Sequence, residues 1–172
     1  MSKVCIDAGH GHGNGAVNGK YKEDVAALGI AKKVRDNLKG HTVIMTRETD
    51  KFIPLNVRCD VANEANADLF ISIHCNSSTN KLARGIETWK HPNAKHKLAE
   101  CIQKELAENF PEEFNRGVKK NNFYVLKHTK CPAALVEVGF ISHDETAKKL
   151  YSYSYQMKLA KAISNGIEAY LR

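Results

Sequence analysis

Four polar side chains, His10, Glu23, His74 and Glu137, stand where the surrounding pattern gives no structural reason for them. Glu137 lies inside "ALVEVGF" (134–140), an apolar run that reads as a strand buried on both faces. Alternation puts Leu135 and Glu137 on one face and Val136, Val138 and Phe140 on the other. A carboxylate buried there without a partner opposes folding strongly. Glu137 therefore has a buried partner, faces a cleft, or serves a site that needs a perturbed acid. A strand-end carboxylate salt-bridged to one of the many lysines is the alternative. His10 follows a strand-like segment and opens the glycine loop "DAGHGHGNG", the kind of loop that lets backbone approach a ligand closely. Its spacing does not fit G-x-G-x-x-G and no Lys-Ser pair follows, which argues against a nucleotide loop.

Glu23 shares a helical stripe with Ala27, Ile30 and Val34. The helix dipole favours an acid in a first turn but does not explain one that faces the core. In "FISIHCNSS", Ser72, His74 and Asn76 alternate with Ile71, Ile73 and Cys75, so His74 ends a buried strand. Ligands of open α/β sheets bind at that edge, although a satisfied core histidine is the plainer alternative. Cys75 points away from His74, which argues against a Cys–His nucleophilic pair. Two histidines and one carboxylate are a ligand set for catalytic zinc, with water as the fourth ligand. Glu137 is then the base that such a water needs. Burial raises its pKa and a nearby cation lowers it. This constellation accounts for all four residues together.

The elements that must position them can be read from periodicity. The segments "VCID", 42–46, 69–74, 85–89, 123–126 ("FYVL") and 133–138 read as strands. Helical patterns cover 23–38, 54–66, 94–109 and 145–171, the last interrupted near Ser152. Strands alternating with helices predict a single α/β domain over 1–172, its sheet covered by helices on both faces.

Composition narrows the partners. The net charge of +7 favours anionic ones: nucleic acid, an anionic membrane or a polymer such as a bacterial wall. The basic residues are dispersed, without the aromatic-interleaved block of a single-strand nucleic-acid binder. Five cysteines, an odd number with no C-x-x-C pair, argue against a disulfide framework and a cysteine-rich zinc site. No apolar run reaches the ~18 residues of a membrane span, and "MSKVCIDAGH" lacks the apolar region of a signal peptide. The expectation is synthesis in the cytoplasm with no export address in this chain. It ends on a helix, "IEAYLR", after which a further module, wall-binding if the resemblance described next holds, can follow in a longer parent protein.

The same residues carry a family resemblance. "DAGHG" resembles the D-P-G-H-G opening of the zinc-dependent N-acetylmuramoyl-L-alanine amidases of type 3, and "EDVAALGIA" resembles their E-K-D-x-N-L helix start. "MTRETD", "ANADLFISIHCN" and "RGVKKNNFYVLKHTKCPAALVEVGFIS" continue the match in order over nearly the whole chain. The resemblance implies a twisted sheet of about six strands, zinc held by His10, Glu23 and His74, and Glu137 as catalytic acid/base. It implies the target bond as well: the amide joining N-acetylmuramic acid to L-alanine in peptidoglycan, cut by a monomer. Asn76 shares the His74 face and is a candidate substrate contact. Arg47 is either a carboxylate receptor or, as we read it, a structural ion-pair partner. The chain departs from the family pattern at Ala8, His12, Ala27 and His143; His12 offers a substitute ligand, while Ala27 and His143 bear on substrate contacts. A zinc peptidase or deacetylase would share the metal site, and a catalytically dead wall-binding module would lack turnover. A phage endolysin, a mother-cell lytic enzyme and the excised domain of a secreted autolysin all fit the expected location.

Overall fold

A central sheet with strand order β4-β1-β5-β8-β6-β7 organises the chain. The computed structural model describes all 172 residues. The strands are β1 (Lys3–Ala8), β4 (Thr42–Met45), β5 (Leu69–Asn76), β6 (Ile86–Lys90), β7 (Asn115–Lys120) and β8 (Ala133–Phe140). A small hairpin, β2 (Val17–Asn18) and β3 (Tyr21–Lys22), stands apart from it. β1, β4, β5 and β8 are parallel, β6 joins β8 antiparallel, and β7 runs parallel to β6.

Helices cover both faces unequally. On one side lie α1 (Glu23–Asn37), α3 (Leu98–Asn109), α5 (Asp144–Leu150) and α6 (Tyr153–Leu171). Their Ile30, Val34, Ile102, Leu106, Leu159 and Ile163 bury Val4, Ile6, Ile71, Ile73, Val136 and Val138 in a core of 29 residues. On the other side α2 (Leu55–Glu64) and the short α4 (Tyr124–His128) cover Cys5, Phe70 and Leu135 in a cluster of only 8. Area burial supplies the bulk of the stabilisation, so the first face anchors the fold. The thinly covered second face leaves the carboxyl ends of β5 and β8 open.

One sequence expectation is corrected. "FYVL" is not a strand: Phe123 precedes the helical turn of α4, and Val125 and Leu126 enter the smaller core beside α2. A four-residue apolar run does not distinguish a strand from one buried helical turn. The sixth strand is instead β7, "NRGVKK", which lacks apolar alternation because it is a sheet edge. Charged residues suit an unpaired edge. The interruption near Ser152 is real, as α5 ends at Leu150 and α6 begins at Tyr153. His143 is the N-cap of α5, its Nδ1 accepting from the Thr146 N–H at 3.3 Å, the task an asparagine performs at such a position.

Candidate metal centre and active-site cleft

β5 and β8 are register neighbours, with His74 paired to Glu137, and the antiparallel β6 sets Glu87 opposite Glu137. Three consecutive strands therefore present His74, Glu137 and Glu87 in one row. α1 delivers Glu23 to the same edge. Its inner stripe of Ala27, Ile30 and Val34 is fully buried, so the first-turn Glu23 is drawn inward and only 4% exposed. The loop after β1 brings His10 over the sheet.

The donor atoms converge. His10 Nε2 lies 3.0 Å from Glu23 Oε1, His74 Nδ1 lies 3.1 Å from the same oxygen, and the two imidazole nitrogens are 3.2 Å apart. Ligands ~2.0–2.1 Å from a tetrahedral zinc are separated by about 3.3 Å, so this triangle has the size of one face of such a site. Glu23 is fixed by backbone: Oε2 accepts from the Ala16 N–H at 2.8 Å and Oε1 from the Cys75 N–H at 3.1 Å. Burial opposes its ionisation, but the hydrogen-bonded His10 and His74 outweigh burial and bring its pKa down to about 2. Burial likewise lowers the His10 pKa, and the Glu23 contact more than offsets it, leaving a net rise. His12 is exposed, and its N–H donates to Asp50 at 2.6 Å; it does not join the cluster.

Close packing shapes the loop. A Cβ on Gly9 would lie 2.5–2.7 Å from Cε1, Nε2 and Nδ1 of His74, so the ring occupies the space a side chain would need. His10 itself adopts φ 58°, in the left-handed region that is unusual outside glycine. Two buried arginines hold this backbone. Arg47 donates to the carbonyls of Ala8, Gly9, Asp24 and Thr49 at 2.7–3.1 Å. Arg58 donates to those of Ala8, His10 and Ile53 at 2.6–2.8 Å and forms an ion pair with Asp7 at 2.7 Å. Asp7 also accepts from Thr46 and Ser72, both at 2.6 Å. Arg47 is thus neither a substrate receptor nor an ion-pair partner, since its donors all go to backbone carbonyls. The ion pair belongs to Arg58 and Asp7, whose roles the sequence reading missed. An aspartate inside the apolar "VCID" strand was the available signal.

Beside the cluster opens a cleft of about 270 Å³, lined by His10, His74 and Glu137 and walled by Phe52, Ile53, Tyr124 and Val125 among others. Glu137 is half-buried, and its Oε2 is buried without any hydrogen-bond partner. Burial pushes its pKa well up, and the charges of Glu23 and Glu87 add to the rise. Asn76 does not line the cleft. Its Nδ2 donates to Glu87 at 2.8 Å and its Oδ1 accepts from the Ser77 N–H at 2.9 Å. Ala27 is buried away from the cleft on the inner side of α1.

Known proteins share this architecture. The profile of the family described as N-acetylmuramoyl-L-alanine amidase matches residues 4–169. The uncharacterised protein YqiI of Bacillus subtilis is 40% identical over 175 residues, covering 97% of this chain and 84% of YqiI. The N-acetylmuramoyl-L-alanine amidase LytC of Bacillus subtilis is 39% identical over 177 residues, 98% of this chain but only 35% of LytC. The catalytic domain of CwlV, an N-acetylmuramoyl-L-alanine amidase from Bacillus (Paenibacillus) polymyxa, has the same fold at a TM-score of 0.95 and 36% identity, covering 99% of this chain and 98% of that one. The chain therefore belongs to the N-acetylmuramoyl-L-alanine amidase family, and it is an enzyme of that class.

Proposed function

We propose that residues 1–172 form the catalytic domain of a zinc-dependent peptidoglycan amidase that hydrolyses the amide between the lactyl group of N-acetylmuramic acid and L-alanine. The observation that carries this reading is the convergence of three donor atoms within 3.2 Å beside an unpartnered carboxylate in an open cleft. His10, Glu23 and His74 would hold the ion, two imidazoles and a carboxylate being a donor set suited to zinc. Bound zinc supplies Lewis acidity toward the amide carbonyl and lowers the pKa of a water toward about 7. Glu137 accepts the proton of the attacking water and returns it to the leaving alanine nitrogen. Burial raises its pKa, which favours uptake of the proton that it later gives to the leaving nitrogen. Phe52, Ile53 and Tyr124 flank the scissile bond with apolar surface and limit bulk water. Asp7, Arg47 and Arg58 fix the backbone that presents His10, and Asn76 steadies Glu87.

The protein acts on the bacterial wall in this reading, and no helix is long and apolar enough to cross a membrane. Metal analysis together with mass spectrometry of digested peptidoglycan tests it. One zinc per chain, chelator-sensitive activity, and release of N-terminal alanine from intact glycan strands are expected. Full activity in the zinc-free protein would overturn the zinc assignment, and cut glycan strands or cut cross-links would overturn the bond assignment.

A further inference from the structure

Glu87 is 2% exposed and serves as the seat of a cationic pair. Its Oε1 accepts from Asn76 Nδ2 at 2.8 Å and from Trp89 Nε1 at 3.1 Å. Its Oε2 meets Arg116 Nε at 2.6 Å and Lys119 Nζ at 2.7 Å. One carboxylate thus draws in two cations, and one of them would suffice to neutralise it. The pair retains a net positive charge, with the Arg116 and Lys119 side chains 29% and 32% exposed. Only the Nε of Arg116 is engaged, so Nη1 and Nη2 are free of protein acceptors. Arg47 and Arg58, by contrast, use Nε, Nη1 and Nη2 on the protein. A guanidinium with its terminal nitrogens available is suited to bidentate capture of a carboxylate. The Phe140 ring, 5.0 Å from the guanidinium carbon, and the Trp89 ring, 5.4 Å from the Lys119 ammonium, support the two heads from below.

The position is informative. Glu87 is paired with Glu137 across β6 and β8, and neighbouring strands lie about 4.8 Å apart. Drawn onto Glu87, the two heads sit roughly one strand away from the proposed proton carrier. Two residues of extended peptide span at most about 7 Å, so a carboxylate one residue beyond a bond cleaved at Glu137 reaches them. The sugar and the acylated lactyl group are uncharged, which leaves the peptide as the source of such a carboxylate.

We propose that Arg116 and Lys119, seated on Glu87, receive the α-carboxylate of the stem-peptide residue that follows the alanine of the cleaved bond. The assignment rests on the peptidoglycan-amidase reading above. It makes the enzyme discriminate between stems whose second residue carries a free α-carboxylate and stems in which that group is a carboxamide.

The test uses the zinc-loaded protein and two muramyl peptides, N-acetylmuramoyl-L-alanyl-D-glutamate and its D-isoglutamine counterpart. kcat and KM are measured for each, and equilibrium binding of both compounds to Glu137→Gln reads recognition without turnover. Wild type is expected to favour the carboxylate compound by about tenfold to a hundredfold in KM, the range of one charge-assisted contact. Arg116→Gln should bring that ratio close to one. Arg116→Lys, which keeps the charge and loses the fork, should restore only part of it, and Lys119→Gln should reduce it independently. Equal KM and equal binding for the two compounds in the wild-type series would overturn the proposal, as would a ratio that survives both Gln substitutions in folded protein. Failure of the underlying reading looks different: neither compound would then be split into N-acetylmuramic acid and an alanyl dipeptide, while the binding preference would still judge the receptor.

Discussion

Glu87 and Glu137 face each other across β6 and β8 in opposite surroundings. Burial works against the ionisation of Glu87, but the contacts from Lys119 and Arg116 outweigh it and lower its pKa. Burial raises the pKa of Glu137, and the negative charges of Glu23 and Glu87 raise it further. Adjacent carboxylates driven apart in this way take different roles. The lowered pKa of Glu87 suits a fixed anchor, and the raised pKa of Glu137 suits the proton carrier proposed above.

Glu137→Gln should leave the fold and zinc content intact and lower kcat by about 10²–10⁴-fold, the usual size of a general acid–base contribution. Because Oε2 has no partner to strand, melting temperature should hold or rise slightly. Melting temperature, bound zinc and turnover measured on one preparation check it. A folded, zinc-loaded variant with near wild-type turnover would remove Glu137 from the mechanism.

Gly9→Ala places a methyl group within 2.5–2.7 Å of the His74 ring. The ring must move, and one ligand of the proposed three moves with it. Zinc affinity should fall at least about tenfold, comparable to loss of an outer-shell support. A competition titration against a chelating dye measures this, and unchanged affinity would show that the ring tolerates displacement.

Arg58→Ala removes the cation of a buried ion pair and strands Asp7 together with the carbonyls of Ala8 and His10. Breaking such a pair from one side costs about 3–5 kcal/mol. Denaturant unfolding should show that loss, with Arg58→Lys failing to recover most of it because one ammonium cannot reproduce the fork. A loss below about 1 kcal/mol would mean that water replaces the guanidinium at little cost.

Acid stability should report on Glu87. Its folded pKa lies below the ordinary value of 4.5, so the native state binds this proton more weakly than the unfolded chain does. The stabilisation is complete above pH ~4.5 and disappears as pH falls through the lowered folded value. Melting temperature followed from pH 6 to pH 3 should drop less steeply for Glu87→Gln than for wild type. Parallel curves would assign the acid limb to other carboxylates.

The residues of the candidate centre were legible because each broke a local pattern. Glu137 interrupts an apolar strand, Glu23 faces inward on an amphipathic helix, and His74 ends a buried strand. Asp7 broke its pattern in the same way and was passed over, since its meaning depends on Arg58, which lies 51 residues away and looks unremarkable on its own helix. The cationic pair was out of reach for a similar reason. "NRGVKK" lacks the apolar alternation by which a strand is read, and the link from Arg116 and Lys119 to Glu87 exists only once β6 and β7 pair. Periodicity reports burial within one segment, whereas these features arise between segments.

The strand order also bears on how activity is acquired during synthesis. β8 is the last strand made, yet it stands in the interior of the sheet, and β5 has no other connection to β6. Without it the sheet consists of two separate pieces, β4-β1-β5 and β6-β7. His10, Glu23 and His74 all lie with the first piece, and Glu137 arrives on β8 itself. A nascent chain that ends before residue 133 holds every proposed ligand and lacks the proposed base, so on the proposed mechanism the step that joins the two halves of the sheet is also the step that arms the enzyme.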